Sequence, residues 1–319
     1  MARGPDALDV ITGVVAAGLG AAAYATYKGK GVPAVSTVTA LFAAAYFTAP
    51  RRKFPTAEAV CPDVSGKVAI VTGATSGIGV DTAGVLFGKG ANLYIAARNP
   101  SKLEATKKDL VARFGGDSAG EIHILVCDLS DLKSVQTAAK TFLKAESKLD
   151  ILINNAGIMA LPERTPTKQG LESQVGVCHV GHFYLTKLLL PAIRKAKGPY
   201  GNAKCSNLLF ARGLHKRHKI TAFSVNPGGI HTGLQTHVDP WTMFKWTIVT
   251  PFFFKSTSQG AATSILCATS PDVVKDSGEY FDNCAVVKDA VKKVEDESFK
   301  DADEKLWKQT EGVLKSLGF

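Results

Sequence analysis

The chain has 319 residues, enough for one large α/β domain with an appendage, and 45% of them are apolar, which excludes a globally disordered protein. The net charge is +10, but the basic residues are spread over helix faces and belong to no nucleic-acid motif, so no nucleic-acid partner is expected. The six cysteines are scattered without a CxxC pair, which points to free thiols in a reducing compartment and to no metal site.

Residues 1–53 differ from the rest. Val10 to Tyr27 and Gly31 to Pro50 carry no charge, and only Lys28-Gly29-Lys30 separates them. Each run is near the ~20 residues that cross a bilayer. Tyr46 and Phe47, followed by Arg51-Arg52-Lys53, have the pattern of an interfacial aromatic with a positive flank. Counting Arg3 with that flank against Lys28 and Lys30, a membrane hairpin would keep both its ends in the cytosol. A signal peptide would need one apolar core with a cleavage site, and a transit peptide should lack Asp6 and Asp9. A soluble pair of alanine-rich helices is the alternative. The expectation is an N-terminal α-helical membrane hairpin within residues 8–53, a linker over 54–66 containing Pro55 and Pro62, and a folded domain over 67–319.

That domain opens on Lys67 to Gly79, KVAIVTGATSGIG. Val68 to Val71 reads as a buried strand, and a helical pattern begins at Ile78. Gly73 lets the chain turn at the strand end, Gly77 lets backbone approach a pyrophosphate, and Gly79 lets the helix lie close to the sheet. The helix start offers free N–H groups to phosphates. A second strand, Asn92 to Ala97, ends in Arg98, about 25 residues beyond Gly73 and near the ~20-residue spacing of a ribose-reading position. A carboxylate there would accept from ribose hydroxyls; Arg98 cannot accept and suits a 2′-phosphate, with Lys102 one turn further on. The alternative is a solvated arginine. The cofactor expected is NADP(H) rather than NAD(H).

Strand and helix signals then alternate. Asn99-Pro100 starts a helix running to Phe114, and Gly115-Gly116 ends it. Ile122 to Cys127 is a strand leading to Asp128-Leu129, and Asp131 to Ser147 a helix. Asp150 to Asn154 is a strand entering Asn155-Ala156-Gly157, and Gly170 to Lys197 a long helix. Ile220 to Val225 is a strand entering Pro227-Gly228-Gly229. Repeated βα units imply a doubly wound parallel sheet with helices on both faces and a ligand at the carboxyl ends of its strands. Leu306, Thr310, Val313, Leu314 and Leu317 make an apolar stripe on a last, packing helix.

The motifs TGATSGIG, AARN, CDLSD, NNAG, GHFYLTKLLL, Tyr200-xxx-Lys204, NPGGIHT, QGAATS and SGEYF, spread from Lys67 to Trp307, resemble those of the short-chain dehydrogenases/reductases, in their retinol dehydrogenase-like branch. The resemblance implies a Rossmann-like α/β fold. It also implies hydride transfer between a nicotinamide and a lipophilic alcohol or its aldehyde or ketone. On that resemblance Gly73, Thr75, Ser76, Gly77, Ile78, Gly79, Arg98, Lys102, Asp128, Leu129, Asn155, Ala156, Gly157, Tyr200, Lys204, Pro227, Gly228, Ile230 and Thr232 would hold the cofactor. Tyr200 would be the catalytic acid/base. Its free pKa of ~10 would be lowered by Lys204, four residues on and on the same face of a helix. The endoplasmic reticulum or a lipid droplet is the expected membrane, with the folded domain facing the cytosol. Whether copies assemble into a homo-oligomer is left open.

Two departures cut across this pattern. Cys178 stands in the long helix where the family has an asparagine, and a thiol is a poor substitute for a carboxamide that organises a water. The family also places a strand with a catalytic serine before the tyrosine. Here Tyr200 follows the long helix almost at once, and no serine lies between Ser173 and Ser206. Thr186 is inside the helix pattern. Two helices in series are then expected, with the catalytic geometry lost, and the alternative function is an inactive nucleotide-binding pseudoenzyme. Trp241 to Phe254 is aromatic-rich and reads either as a lid for a lipophilic substrate or as core and membrane-surface contact.

Overall fold

The computed structural model describes residues 54–159, 161, 163–196, 202–203, 208–230, 255–288 and 301–319, which all belong to one compact unit. Its first strand, β1 (Val68–Thr72), is buried along its whole length because it has strands on both sides and helices on both faces. In chain order follow α1 (Ala57–Val60) ahead of β1, then α2 (Ile78–Gly88), β2 (Asn92–Ala97), α3 (Pro100–Phe114), β3 (Glu121–Val126), α4 (Leu132–Ala145) and β4 (Ile151–Ile153). The strands pair in parallel in the order β3-β2-β1-β4-β5, where β5 is Asn202–Ala203.

Alternation along the strands divides the core in two. Ile70, Tyr94, Leu125 and Leu152 face one side with Phe142 and Phe183. Ala69, Val71, Leu93, Ile95, Ile151 and Ile153 face the other with Leu86 and Leu103. Helix starts follow the expected chemistry: Asn99 Oδ1 accepts from the Lys102 backbone N–H at 3.0 Å with Pro100 in the first turn, and Asp131 Oδ1 accepts from Lys133 N–H at 3.0 Å.

The long helix is broken into parts. It starts at Ser173 rather than Gly170, because the Glu172 carboxylate accepts from the N–H groups of Gln174 and Val175, at 2.9 Å each, while Gly170 sits in a turn with φ +80. After α5 (Ser173–Val175) comes a π-helical segment, Gly176–Gly181, and then α6 (His182–Ile193).

The largest correction concerns the residues after α6. Two helices in series were the expectation; instead Asn202 and Ala203 pair in parallel with Leu152 and Ile153 as β5, and α7 (Leu208–His218) follows. The sheet thus takes its fifth strand from inside the Tyr200-xxx-Lys204 motif. The reason is backbone satisfaction: without a fifth strand, the free edge of β4 would be left beneath helices with unpaired N–H and C=O groups. Asn202 and Ala203, inside that motif, are therefore extended where a helical turn was expected, while Tyr200 and Lys204 lie outside the described residues.

A two-residue strand cannot carry the sheet further. β6 (Ser224–Asn226), β7 (Tyr280–Asp282) and β8 (Ala285–Val286) form a separate three-stranded sheet, parallel at β6·β7 and antiparallel at β7·β8. The connection from α7 is short, and Lys219 takes φ +55 within it.

The segment expected as a linker is packed. Ala57, Cys61 and Val64 are buried, and α1 lies against α8 (Thr257–Thr269), where Ala57 N–H donates to Ser258 Oγ at 3.2 Å and Ser258 Oγ–H donates to Glu58 at 2.6 Å. Two prolines signalled irregular backbone, not freedom. Among the described residues no helix is long and apolar enough to cross a membrane, and the two uncharged runs of residues 8–53 lie outside them, as do Trp241 to Phe254. The five cysteines described, Cys61, Cys127, Cys178, Cys267 and Cys284, are free thiols.

The last helix, α9 (Ala302–Ser316), buries Asp303, Trp307, Thr310 and Leu314, so the apolar stripe does face the core. Trp307 packs edge-on to Phe183 and beside Phe210, the Lys187–Glu311 and Lys216–Asp303 pairs flank it, and His179 Nε2 lies 2.9 Å from Thr310 Oγ1. Burial holds His179 below the ordinary histidine range, and burial together with Arg194 and Arg217 does the same for His218 beside Trp307. The unfolded chain then binds protons that the fold refuses, so this stability is complete above about pH 6.5 and is lost as pH falls through the lowered folded values. The thermal midpoint is expected to drop by a few degrees between about pH 7.5 and about pH 5.5, above the range where the paired carboxylates titrate. His179→Gln, which keeps a polar partner for Thr310, should flatten that dependence; a variant with the wild-type slope would show that His179 is not its source.

Candidate functional site

The carboxyl ends of β1, β2, β3 and β4 meet along one rim of the five-stranded sheet, where β1 lies between strands reached by opposite crossovers. At the end of β1, Gly73 takes φ +67, and a Cβ there would stand 2.7 Å from the Cα of Ala156. Gly77 caps α2 at φ 55, ψ −136, a conformation that only glycine adopts readily. A Cβ on Gly79 would meet the Gly73 carbonyl and, at 2.6 Å, the Asn155 carboxamide nitrogen. The result is a bare backbone cradle at a helix start, with Thr75 half-buried and Ser76 exposed in the loop. These features fit a dinucleotide pyrophosphate on geometric grounds.

Arg98 ends β2 exposed, with no ion pair among the described residues, and Lys102 is exposed one turn into α3. Asp128, after β3, accepts from Ser130 N–H at 2.9 Å and Ser130 Oγ–H at 2.7 Å through the same oxygen, Oδ1. Its neighbour Cys127 is buried, which pushes its thiol up to about 12 and leaves it inert at neutral pH.

Asn155 Nδ2 donates to Thr72 O at 3.0 Å and to Gly73 O at 3.4 Å, which ties β4 to the start of the glycine loop. The Ala156 N–H donates to Thr72 Oγ1 at 3.0 Å, and the same hydroxyl lies 2.9 Å from His182 Nε2. The Thr72 hydroxyl also lies within donating distance of the Ile153 carbonyl, at 3.4 Å, and His182 Nδ1 lies 3.4 Å from the Cys178 carbonyl. One buried hydroxyl therefore joins β1, the Asn155-Ala156-Gly157 loop and the start of α6. Thr72 and His182 were not among the sequence-derived site residues; a lone hydroxyl closing an apolar strand and a histidine in an apolar helix were the available signals.

Cys178 lies in the π-helical segment, where its thiol donates to the Ile158 carbonyl at 3.6 Å, and a Cβ on Gly157 would approach it to 3.7 Å. Thr186 is fully buried and accepts from Asn154 Nδ2 at 3.1 Å, so it is unavailable to a substrate; Asn154 Oδ1 is buried without a partner among the described residues. Ile78, Leu129 and Ile230 bury their side chains in the two cores and present only backbone to the rim. Tyr200, Lys204 and Thr232 lie outside the described residues.

The second sheet brings its own loop. Pro227 O accepts from Lys255 Nζ at 3.0 Å, Gly228 N–H donates to Asn226 Oδ1 at 3.0 Å, and Gly228 takes φ +83. Burial pulls the Lys255 ammonium below the usual lysine range, against the opposing pull of Asp282 and Cys284. Lys255 too was missed from sequence; its signal was a single cation closing an aromatic run.

The family model for short chain dehydrogenase matches residues 67–202. Mouse "Retinol dehydrogenase 12" is 37% identical over 285 residues, covering 77% of this chain and 88% of the relative. Human "Retinol dehydrogenase 11" is 33% identical, covering 76% and 86%. Among solved structures, L-sorbose reductase from Gluconobacter frateurii complexed with NADPH and L-sorbose overlays at a TM-score of 0.55 with 20% identity, covering 69% of this chain and 95% of that one. A short-chain dehydrogenase from Brucella melitensis, of glucose/ribitol dehydrogenase type, reaches 0.57 at 19%, covering 70% and 96%, and both likenesses speak to the fold alone. The chain belongs to the short-chain dehydrogenases, an oxidoreductase family that binds NAD(P)(H), and within it is retinol dehydrogenase-like.

Thr72→Val keeps the shape of the buried side chain but strips the Ala156 N–H of its acceptor and His182 of its partner. The expected cost is about 1–3 kcal/mol in denaturant unfolding, accompanied by weaker dinucleotide binding. An unchanged midpoint would remove Thr72 from its role at the junction.

Proposed function

We propose that this chain binds NADP(H) along the rim from Gly73 to Pro227, with a lipophilic alcohol or its aldehyde or ketone as the companion ligand, and that proton transfer is impaired in this form. The single observation behind the impairment is the extended backbone at Asn202–Ala203, between Tyr200 and Lys204. An i, i+4 pair shares a face only on a helix, where successive residues rise 1.5 Å. In a strand the same spacing spans roughly 13 Å. A single helical turn carrying both groups is therefore interrupted at Asn202–Ala203, and proton transfer through that pair is impaired on this reading. The absence of a serine between Ser173 and Ser206 removes a hydroxyl that would orient a carbonyl.

The nucleotide half supports binding. The Gly73 to Gly79 cradle and the α2 start suit a pyrophosphate, and Asn155 and Ala156 hold the loop beside them. Arg98 and Lys102 are the cations for a 2′-phosphate, and Asp128 keeps one carboxylate oxygen for the base or ribose. NADP(H), when bound, supplies the hydride. The names of the relatives support a lipophilic substrate, and the two uncharged runs of residues 8–53 support attachment to a membrane with the domain on its cytosolic side.

A second reading, full turnover with Tyr200 as acid/base, draws on the 33–37% identity to the retinol dehydrogenases. NADPH titration together with NADPH oxidation in the presence of retinal or a medium-chain aldehyde separates the two. Binding without turnover is the expected outcome; turnover at an ordinary rate of about 1 s⁻¹ or more would establish the second reading instead. Neither binding nor turnover would refute both. Arg98→Asp should weaken NADPH by about tenfold or more and shift preference toward NADH; an unchanged preference would take the 2′-phosphate away from Arg98.

A further inference from the structure

Lys255 keeps only 6% of its surface exposed. Lysine is almost never buried without something to hold its ammonium, because taking the charge out of water is costly. Among the described residues, Pro227 and Phe54 hold this one, and the Asp282 carboxylate attracts it as well. Nζ donates to the Pro227 carbonyl at 3.0 Å and lies 4.8 Å from the centroid of the Phe54 ring. The backbone of the same residue is engaged as well: Lys255 N–H donates to Gly229 O at 2.9 Å, and Ile230 and Lys255 form a parallel bridge. The stem fills the space over Gly228, where a Cβ would stand 2.9 Å from Nζ and 3.0 Å from Cε. The glycine at 228 is thus required twice, by its positive φ and by the lysine lying across it.

Phe54 is held in turn. Its carbonyl accepts from Gln259 Nε2 at 3.3 Å, and Gln259 belongs to the capping box with Ser256 that starts α8 immediately after Lys255. The loop after β6, the start of α8 and the first residue of the folded unit form one clasp around a single ammonium.

We propose that Lys255 is a positioning residue for the dinucleotide, fixing the Pro227–Ile230 loop at the rim, and that Phe54 steadies it there. This rests on the NADP(H) reading above. A merely structural role is disfavoured by the chemistry of burial: an apolar side chain of the same length would fill the space without the cost of desolvating an ammonium. Pro227 is half-buried, so without the ammonium its carbonyl can turn to water, and the loop loses its fixed course.

The test uses the full chain with NADPH as the probe, titrated by protein fluorescence, and thermal midpoints measured in parallel. Lys255→Met is expected to keep its midpoint within about 3 °C or to raise it, while weakening NADPH about tenfold, the scale of one charge-assisted hydrogen bond. Phe54→Leu, which keeps apolar contact and removes the ring face, should weaken NADPH about threefold. If wild type binds NADPH and both variants bind it equally well, the clasp has no part in binding and the proposal is overturned while the NADP(H) reading stands. If wild type itself does not bind NADPH, both fall. Should Lys255→Met fail to fold, Phe54→Leu decides: wild-type affinity in that variant overturns the proposal, and reduced affinity at an unchanged midpoint supports it.

Discussion

The junction at the end of β1 is the constraint on which the rest depends. There the chain must turn through Gly73 into α2 while the backbone of Ala156, from the neighbouring strand, presses against it. No side chain fits between them, so the two loops are held by what can pass through backbone and one hydroxyl. Thr72 Oγ1 takes the Ala156 N–H and meets His182, and Asn155 closes over the Thr72 and Gly73 carbonyls. These bonds hold the two loops together while leaving the backbone at Gly73, Gly77 and Gly79 bare of side chains. A dinucleotide site is a natural use of that geometry, since phosphate oxygens need N–H groups that no side chain obscures.

The other half of the fold is governed by a different demand, that β4 not be left as an edge. Helices α6 and α8 pack against this region, and an unpaired strand edge under them would hold unpaired backbone groups. Asn202 and Ala203 supply the pairing at the expense of helix. That trade explains why the two sides of the rim differ so much. The first is built by strands of three to six residues with full ladders. The second rests on a strand of two residues that lies inside the Tyr200-xxx-Lys204 motif. The split of the sheet between β5 and β6 follows from the same shortage.

The second sheet is then tied back by side chains rather than by strand pairing. Lys255 and its partners link the loop after β6 to α8 and to Phe54, and α8 packs its small residues Gly260, Ala261 and Ala262 into the core shared with α2. On the opposite face α9 lays Trp307 across Phe183 and Phe210. Thr310 meets His179 in the same segment that carries Cys178, so the C-terminal helix and the π-helical turn behind the rim are one packed unit.

Local chemistry determined much of this in advance. Continuous apolar runs marked β1 and β4 as central strands, Asn99-Pro100 and Asp131 marked helix starts, and the three glycines marked the cradle, because caps, turns and two-residue alternation act over a few neighbouring positions. The stripe from Leu306 to Leu317 likewise belongs to one helix and could be read from its spacing. What only the tertiary structure decided are the arrangements that depend on distant backbone. One is that Asn202 and Ala203, expected as helix from the spacing around them, form a strand because β4 needs a partner. Another is that the proline-bearing stretch before β1 packs as a strap. The third is that a lysine after three phenylalanines is buried against a carbonyl contributed by Pro227. Hydrogen-bond satisfaction and desolvation are properties of the assembled core, and no window of sequence contains them.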